Sequence, residues 1–311
     1  MQSELRAPLT FNRSLHQFAL FTACCTLVLI VAGALVTGNE AGLSVPDWPL
    51  SYGSLTPPMV GGIFFEHGHR MVASFVGFLT VVLAVWLWKC ETRKFVRRLG
   101  FVALGAVVVQ GILGGMTVLF FLPTSISVLH ACLAQAFFCM VSVVALSTSR
   151  GWMASANGPQ RDLRGISMRQ LSVAATCCIY LQLILGAALR HSKSGLLLHV
   201  MGAFLVSFLV MWTIARVYKF YADLSALFRP AIILGMLLTA QLTLGVGSYL
   251  VRLAGRDDVQ PGGWMVAITT AHVATGAMIL VTSLLLAIQC FRVLSEVPGD
   301  LVVSLPQEVT S

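Results

Sequence analysis

FFEHGHRMVASF, residues 64–75, sets one glutamate, two histidines and an arginine at the mouth of a long apolar run. Ionisable side chains at membrane depth are costly and mark function. What Glu66, His67, His69 and Arg70 do therefore depends on whether the run behind them crosses a bilayer. A helix of about 20 apolar residues spans the roughly 30 Å of hydrocarbon. Eight runs of the chain reach that length, near 16–37, 69–89, 99–121, 126–148, 170–189, 196–216, 230–251 and 265–291. The 311 residues are 57% hydrophobic and 10% charged, with a mean hydropathy of +0.87. Soluble domains carry about 25% charged residues. The fold class predicted is an all-α integral membrane protein of eight transmembrane helices embedded in the lipid bilayer. The first run is too long and too lightly flanked for a cleaved signal peptide and is read as span 1.

A net charge of +8 invites a nucleic-acid reading, but the distribution opposes it. Of the 20 lysines and arginines, 15 precede span 1, fill the loops 2–3, 4–5 and 6–7, or follow span 8. The remaining five are Arg70, Arg190, Lys193, Arg252 and Arg256. The positive-inside rule then places both termini in the cytoplasm, so the basic balance reports topology and no nucleic acid is expected. The eight cysteines lie within or at the ends of apolar runs, form no CxxC and read as small packing residues.

The chain also repeats itself. VAGALVTGNEAGLS (31–44) matches ILGAALRHSKSGLL (184–197), and VQGILGGMTVLF (109–120) matches AQLTLGVGSYLV (240–251). His69 pairs with His199, Gln110 with Gln241 and His130 with His272 at similar offsets. Two pseudosymmetric four-helix bundles follow, 1–150 and 166–311, joined by GWMASANGPQRDLRG (151–165) as a cytoplasmic linker. Each unit has an even number of spans, so the repeat is parallel and not inverted.

His69, His130, His199 and His272 open or lie near the start of spans 2, 4, 6 and 8. Those spans all run inward, so the four imidazoles share one depth near the outer face, two per bundle. A planar haem held from both sides by histidine needs such a pair, whereas zinc asks for a tetrahedron, usually with Cys or carboxylate. Two bis-histidine haem sites are predicted. Arg70 and Arg190 suit haem propionates, since guanidinium matches carboxylate geometry, and His191 can make polar contacts beside them. His16 reads as interfacial, and His67 is left unassigned.

The halves differ at one position. Glu66 stands three residues before His69, on the same helix face, while Leu196, Ser127 and Thr269 occupy that place before His199, His130 and His272. A carboxylate there can move protons, or simply pair with Arg70 at i, i+4. The asymmetry points to chemistry in the first half and a permanent cofactor in the second.

GALVTGNEAGLSVPDWPLSYG, EHGHR, QGILGGMTV with LHACLAQAF, LGAALRH with LLLHVMGA, and QLTLGV with TTAHVATGA together resemble the haem A synthase family from about residue 30 to 290. The resemblance implies oxidation of a methyl group of haem O to a formyl group, giving haem A for terminal oxidases. It implies His69 and His130 as axial ligands of the substrate haem O, His199 and His272 as ligands of a haem b cofactor, and Glu66 as the catalytic acid. It also implies a haem O synthase upstream, an electron donor and terminal oxidase assembly. Many members of the family carry a cysteine pair in the first outer loop where this chain has Val45 and Ser51, so no thiol chemistry operates there. PDWP (46–49) remains and is expected to cover the first site as a lid. HSKSG (191–195) is shorter, so the second site is expected to be less covered. The alternatives are a di-haem b-type membrane electron carrier and a haem delivery protein. The apolar outer faces suit lipid or a homo-oligomer equally.

Overall fold

The computed structural model describes residues 11–154, 160–162, 166–192, 194–255 and 260–295. Lys193 and Arg256 of the outer charge set, Arg6 and Arg164 of the inner set, and much of the 151–165 connection lie outside these residues.

Eight helices are long and apolar enough to cross a membrane. They are α1 (Arg13–Gly38), α2 (Gly61–Cys90), α3 (Lys94–Leu119), α4 (Thr124–Ser147), α6 (Met168–Ser192), α7 (Leu196–Phe220), α8 (Ser225–Ala254) and α9 (Gly263–Val293). A short helix, α5 (Arg150–Met153), follows α4. The strand β1 (Gln160–Arg161) pairs in parallel with β2 (Leu294–Ser295) just beyond α9. The hydrophobic run sets each helix length, and loop chemistry sets the ends. Asn12, for example, caps α1 by accepting from the Leu15 N–H at 3.0 Å.

Helix α2 begins well before, and α6 ends beyond, the apolar run that predicts it. Span 2 was expected to open at His69, but α2 starts at Gly61, so His69 lies two turns inside. Glycines and charges in GGIFFEHG hide the first two turns from a hydropathy reading, because Glu66 and His67 are buried against a loop and not in lipid. Arg190 and His191, expected in a loop, occupy the last turn of α6.

The packing follows the repeat. Within the first four helices α1 packs on α2 and α4, and α3 on α2 and α4. Within the second four, α6 packs on α7 and α9, and α8 on α7 and α9. The halves meet through α1 on α9, α4 on α6 and α4 on α9. Exchanging α1–α4 for α6–α9 leaves this pattern unchanged. The buried core runs along α1, α4 and α9, with Ala19, Val141, Val144 and Ala277 fully covered, while the outer helices present Leu, Phe and Met to the surroundings. In lipid such faces need no cover.

At the end opposite the histidines, Asp162 ties the connection to the second half. It accepts from the Tyr221 hydroxyl at 2.8 Å and the Met168 N–H at 2.9 Å, and its own N–H donates to the Ser295 carbonyl at 2.9 Å. Asp162 and Tyr221 are both buried, so losing the carboxylate strands two donors. Asp162→Ala is expected to lower the unfolding midpoint in detergent by about 1–3 kcal/mol of stability. Asp162→Asn, which keeps an acceptor, is expected to recover at least half of that loss.

Candidate functional site

The four histidines close into two pairs, each on the second and fourth long helices of one bundle, which face each other across its centre. The rings of His69 on α2 and His130 on α4 stand 6.5 Å apart at 71°. Those of His199 on α7 and His272 on α9 stand 6.5 Å apart at 74°. The second pair therefore reproduces the first almost to the degree.

A glycine of the preceding helix makes room for each ring. A methyl group on Gly33 would lie 3.3 Å from His69 Nε2, and one on Gly114 3.2 Å from His130 Cε1. The corresponding distances are 3.1 Å for Gly186 to His199 Cε1 and 3.2 Å for Gly245 to His272 Cε1. All are tighter than ordinary van der Waals contact, so a side chain at any of the four would press on an imidazole. That these four glycines share a partner type appears only in three dimensions.

Three of the rings are also held by a glutamine one turn before the glycine. Gln110 Nε2 donates to the His130 carbonyl at 2.9 Å and stands 3.4 Å from its ring Nε2. Gln182 Nε2 donates to the His199 carbonyl at 2.7 Å and stands 3.1 Å from Nδ1. Gln241 Nε2 stands 3.4 Å from His272 Nε2. Gln182 was not singled out in the sequence, although its QLILG (182–186) repeats the spacing of the other two.

These residues fit a haem held between each pair. Two imidazoles gripping one metal at about 2.0 Å each have ring centroids roughly 6 Å apart, close to the separation seen. His130 Nδ1 and His272 Nδ1 are buried with no hydrogen-bond partner, as is Ser127 Oγ one turn before His130. Buried polar atoms are ordinarily paired, so these orphans ask for a group that belongs between the rings. Among the described residues no three His, Cys, Asp or Glu side chains gather to hold an ion, which disfavours a tetrahedral metal centre.

The first pair is covered by an ion pair and a loop. Glu66 is 4% exposed. Its Oε1 accepts from Arg70 Nη2 at 2.6 Å and its Oε2 from the Val45 N–H at 2.9 Å. Arg70 Nη1 reaches on to the carbonyls of Asp47 at 2.8 Å and Leu50 at 2.6 Å. Ser51 Oγ lies 2.8 Å from His67 Nδ1, which gives the unassigned histidine a partner. The Trp48 ring lies over Gly115 of α3, where a methyl group would come within 2.7 Å of it. Loop 39–60 is thus fastened to α2 by four side chains and to α3 by one.

Arg70, expected at a haem propionate, spends its guanidinium on this loop and on Glu66. Arg190 donates to the Thr37 carbonyl at the end of α1, so it bridges the halves. His191, on the same turn of α6, stands within electrostatic reach of His130 in the other half. His16, expected at the interface, instead ties α1 to the end of α4, with Nδ1 3.1 Å from the Ala145 carbonyl.

Within the loop, Asp47 accepts from the N–H groups of Tyr52 at 2.7 Å and Gly53 at 2.8 Å. The Gly53 hydrogen bond, helped by the one from Tyr52 and by the nearby Arg70 guanidinium, holds its carboxyl below the usual carboxylate range. A depressed folded pKa means that the loop gains order above the ordinary value near 3.9 and loses it as pH falls through the lower folded value. Protection of the Tyr52 and Gly53 amides, taken relative to their intrinsic exchange rates, is expected to hold from pH 8 down to 5 and to fall only in stronger acid. Asp47→Ala is expected to remove that protection across the same range.

The COX15-CtaA family, described as cytochrome oxidase assembly protein, matches residues 61–199. That segment holds Glu66, His69, His130 and His199. A heme A synthase of Symbiobacterium thermophilum is 28% identical over 276 residues, 86% of this chain and 85% of that protein. One of Geobacillus kaustophilus is 25% identical over 292 residues, 88% of this chain and 84% of that protein. One of Lysinibacillus sphaericus is 30% identical over 192 residues, 60% of this chain and 61% of that protein. The chain is thus similar to the COX15-CtaA family over 61–199 and to heme A synthases over most of its length.

Proposed function

We propose that this membrane protein is a haem A synthase, oxidising a methyl group of haem O to a formyl group in the first bundle. The observation that carries the assignment is the pair of near-identical histidine clamps of which, among the described residues, only the first has a carboxylate three residues before a clamp histidine. His69 and His130 hold the substrate haem O, and His199 and His272 hold a resident haem b. The resident haem supplies one-electron redox chemistry to the protein when bound. An electron donor outside the chain, a haem O synthase that makes the substrate and terminal oxidases that receive the product complete the setting. Both termini lie in the cytoplasm, and both sites lie toward the outer face.

The chain's own residues have distinct tasks in this reading. Glu66 holds or passes a proton at its carboxylate oxygens beside the first clamp. Arg70 fixes which way that carboxylate points and stabilises its charge in a poorly solvated place. Loop 39–60, fastened through Val45, Asp47, Leu50 and Ser51, keeps water from the carboxylate. At the second clamp Leu196 and Thr269, three residues before His199 and His272, put no carboxylate where Glu66 stands before His69, as suits a cofactor that is not itself changed.

The test is expression with a source of haem O in a host that makes no haem A, followed by haem extraction and mass analysis. Wild type is expected to yield hydroxymethyl or formyl haem. Glu66→Gln still accepts from the Val45 N–H but cannot take up a proton as a carboxylate does, and is expected to lose product about 100-fold or more with the resident haem retained. His199→Ala is expected to lose the resident haem. Unaltered haem O in a folded, haem-loaded wild type supplied with reductant would overturn the assignment in favour of an electron carrier or a delivery protein.

A further inference from the structure

Three of the four clamp histidines are fastened by a glutamine, and the fourth is not. Gln110, Gln182 and Gln241 each stand four residues before the glycine that seats a ring, so amide and glycine share one helix face. Four residues before Gly33, the seat of His69, the chain has Leu29. Leu29 is packed against the core as a partly buried aliphatic side chain. Among the described residues no hydrogen bond from another helix reaches the ring or the carbonyl of His69, whereas His130 has both through Gln110.

From this we infer that His69 is the exchangeable ligand of the first site, and that Leu29 is the positioning residue that makes it so. The inference rests on the bis-histidine reading above. A haem clamped on both faces admits no small molecule at the metal until one imidazole swings away. A hydrogen bond from the preceding helix resists that swing by restraining both the rotamer and the turn that carries it. At the second site both imidazoles are restrained, so neither yields. At the first, His130 is restrained and His69 has only its glycine seat. Leu29 offers the ring no polar atom to stay for. The duplicated frame therefore carries one closed clamp and one that can open at His69.

Carbon monoxide tests this on the full-length, haem-loaded, reduced protein in detergent, because it binds only where an axial ligand departs. Wild type is expected to bind it at the first-site haem and not at the second. Leu29→Gln restores the missing fastening and is expected to slow that binding roughly fivefold to tenfold, the effect of one added hydrogen bond. Gln241→Leu removes a fastening from the second site without adding a polar group to the core, and is expected to make the second haem reactive toward carbon monoxide. An unchanged rate in a folded Leu29→Gln protein, or a second haem still inert in Gln241→Leu, overturns the inference. Should Leu29→Gln not fold, the Gln241→Leu result decides alone. The spectrum before the gas is added separates the two levels. Two low-spin bis-imidazole haems with rates indifferent to both variants sink only the role of His69, and their absence sinks the proposed function with it.

Discussion

An imidazole buried among apolar helices has to find room and a partner at once, and the rest of this structure is arranged around that demand. Room comes from glycine, since any Cβ at Gly33, Gly114, Gly186 or Gly245 would sit about 3.1–3.3 Å from a ring atom. Partnering comes from the second lone pair of a helical carbonyl, which is already bonded once within its own helix and can accept again from a glutamine amide. Together these requirements fix the rotation and axial position of each odd helix against the next even one. Four glycine seats, three of them joined by a glutamine contact, set the register of eight helices that hydrophobicity alone would leave free to slide, because one apolar surface packs on another with little preference in lipid.

The same economy of polar groups explains the first outer loop. Burying Glu66 is unfavourable unless both of its oxygens are satisfied and a countercharge is near. Arg70 supplies the countercharge, and the Val45 N–H supplies the second donor. Arg70 in turn has donors left over, and the carbonyls of Asp47 and Leu50 take them. The loop is therefore folded onto the site by the needs of one carboxylate. Ser51 and His67 add a fastening of the same kind, independent of redox state because no thiol is involved.

How much of this could be read in advance follows from which signals are periodic. The eight spans were legible because hydrocarbon thickness imposes a length on every helix, and the histidine pairs were legible because duplication puts them in register. Where α2 begins was not, since Gly61, Gly62, Glu66 and His67 look like a loop to any hydropathy measure while being helical and buried. The glycine seats were hidden among 27 glycines with nothing in the sequence to set them apart. Arg70 looked like a propionate partner because its carbonyl acceptors come from loop residues with no pattern of their own. Gln110 and Gln241 were visible as a repeat, but that they reach across to the histidines, and that Gln182 joins them, depends on helix rotation that spacing does not reveal.

An even number of spans per unit has a further consequence for the pair of sites. Because both units enter the membrane from the same side, equivalent residues return at equivalent depth, and neither clamp can be displaced along the membrane normal without breaking the repeat. The helix–helix contacts between halves then decide their separation in the membrane plane. α4, which carries His130, packs directly against α9, which carries His272, and against α6. Neighbouring packed helices have axes about 8–10 Å apart, so the helices that carry one histidine of each pair stand side by side. In the proposed function, electrons received at one clamp and used at the other call for such proximity. The inverted arrangement, which would put the two pairs on opposite faces, could not provide it.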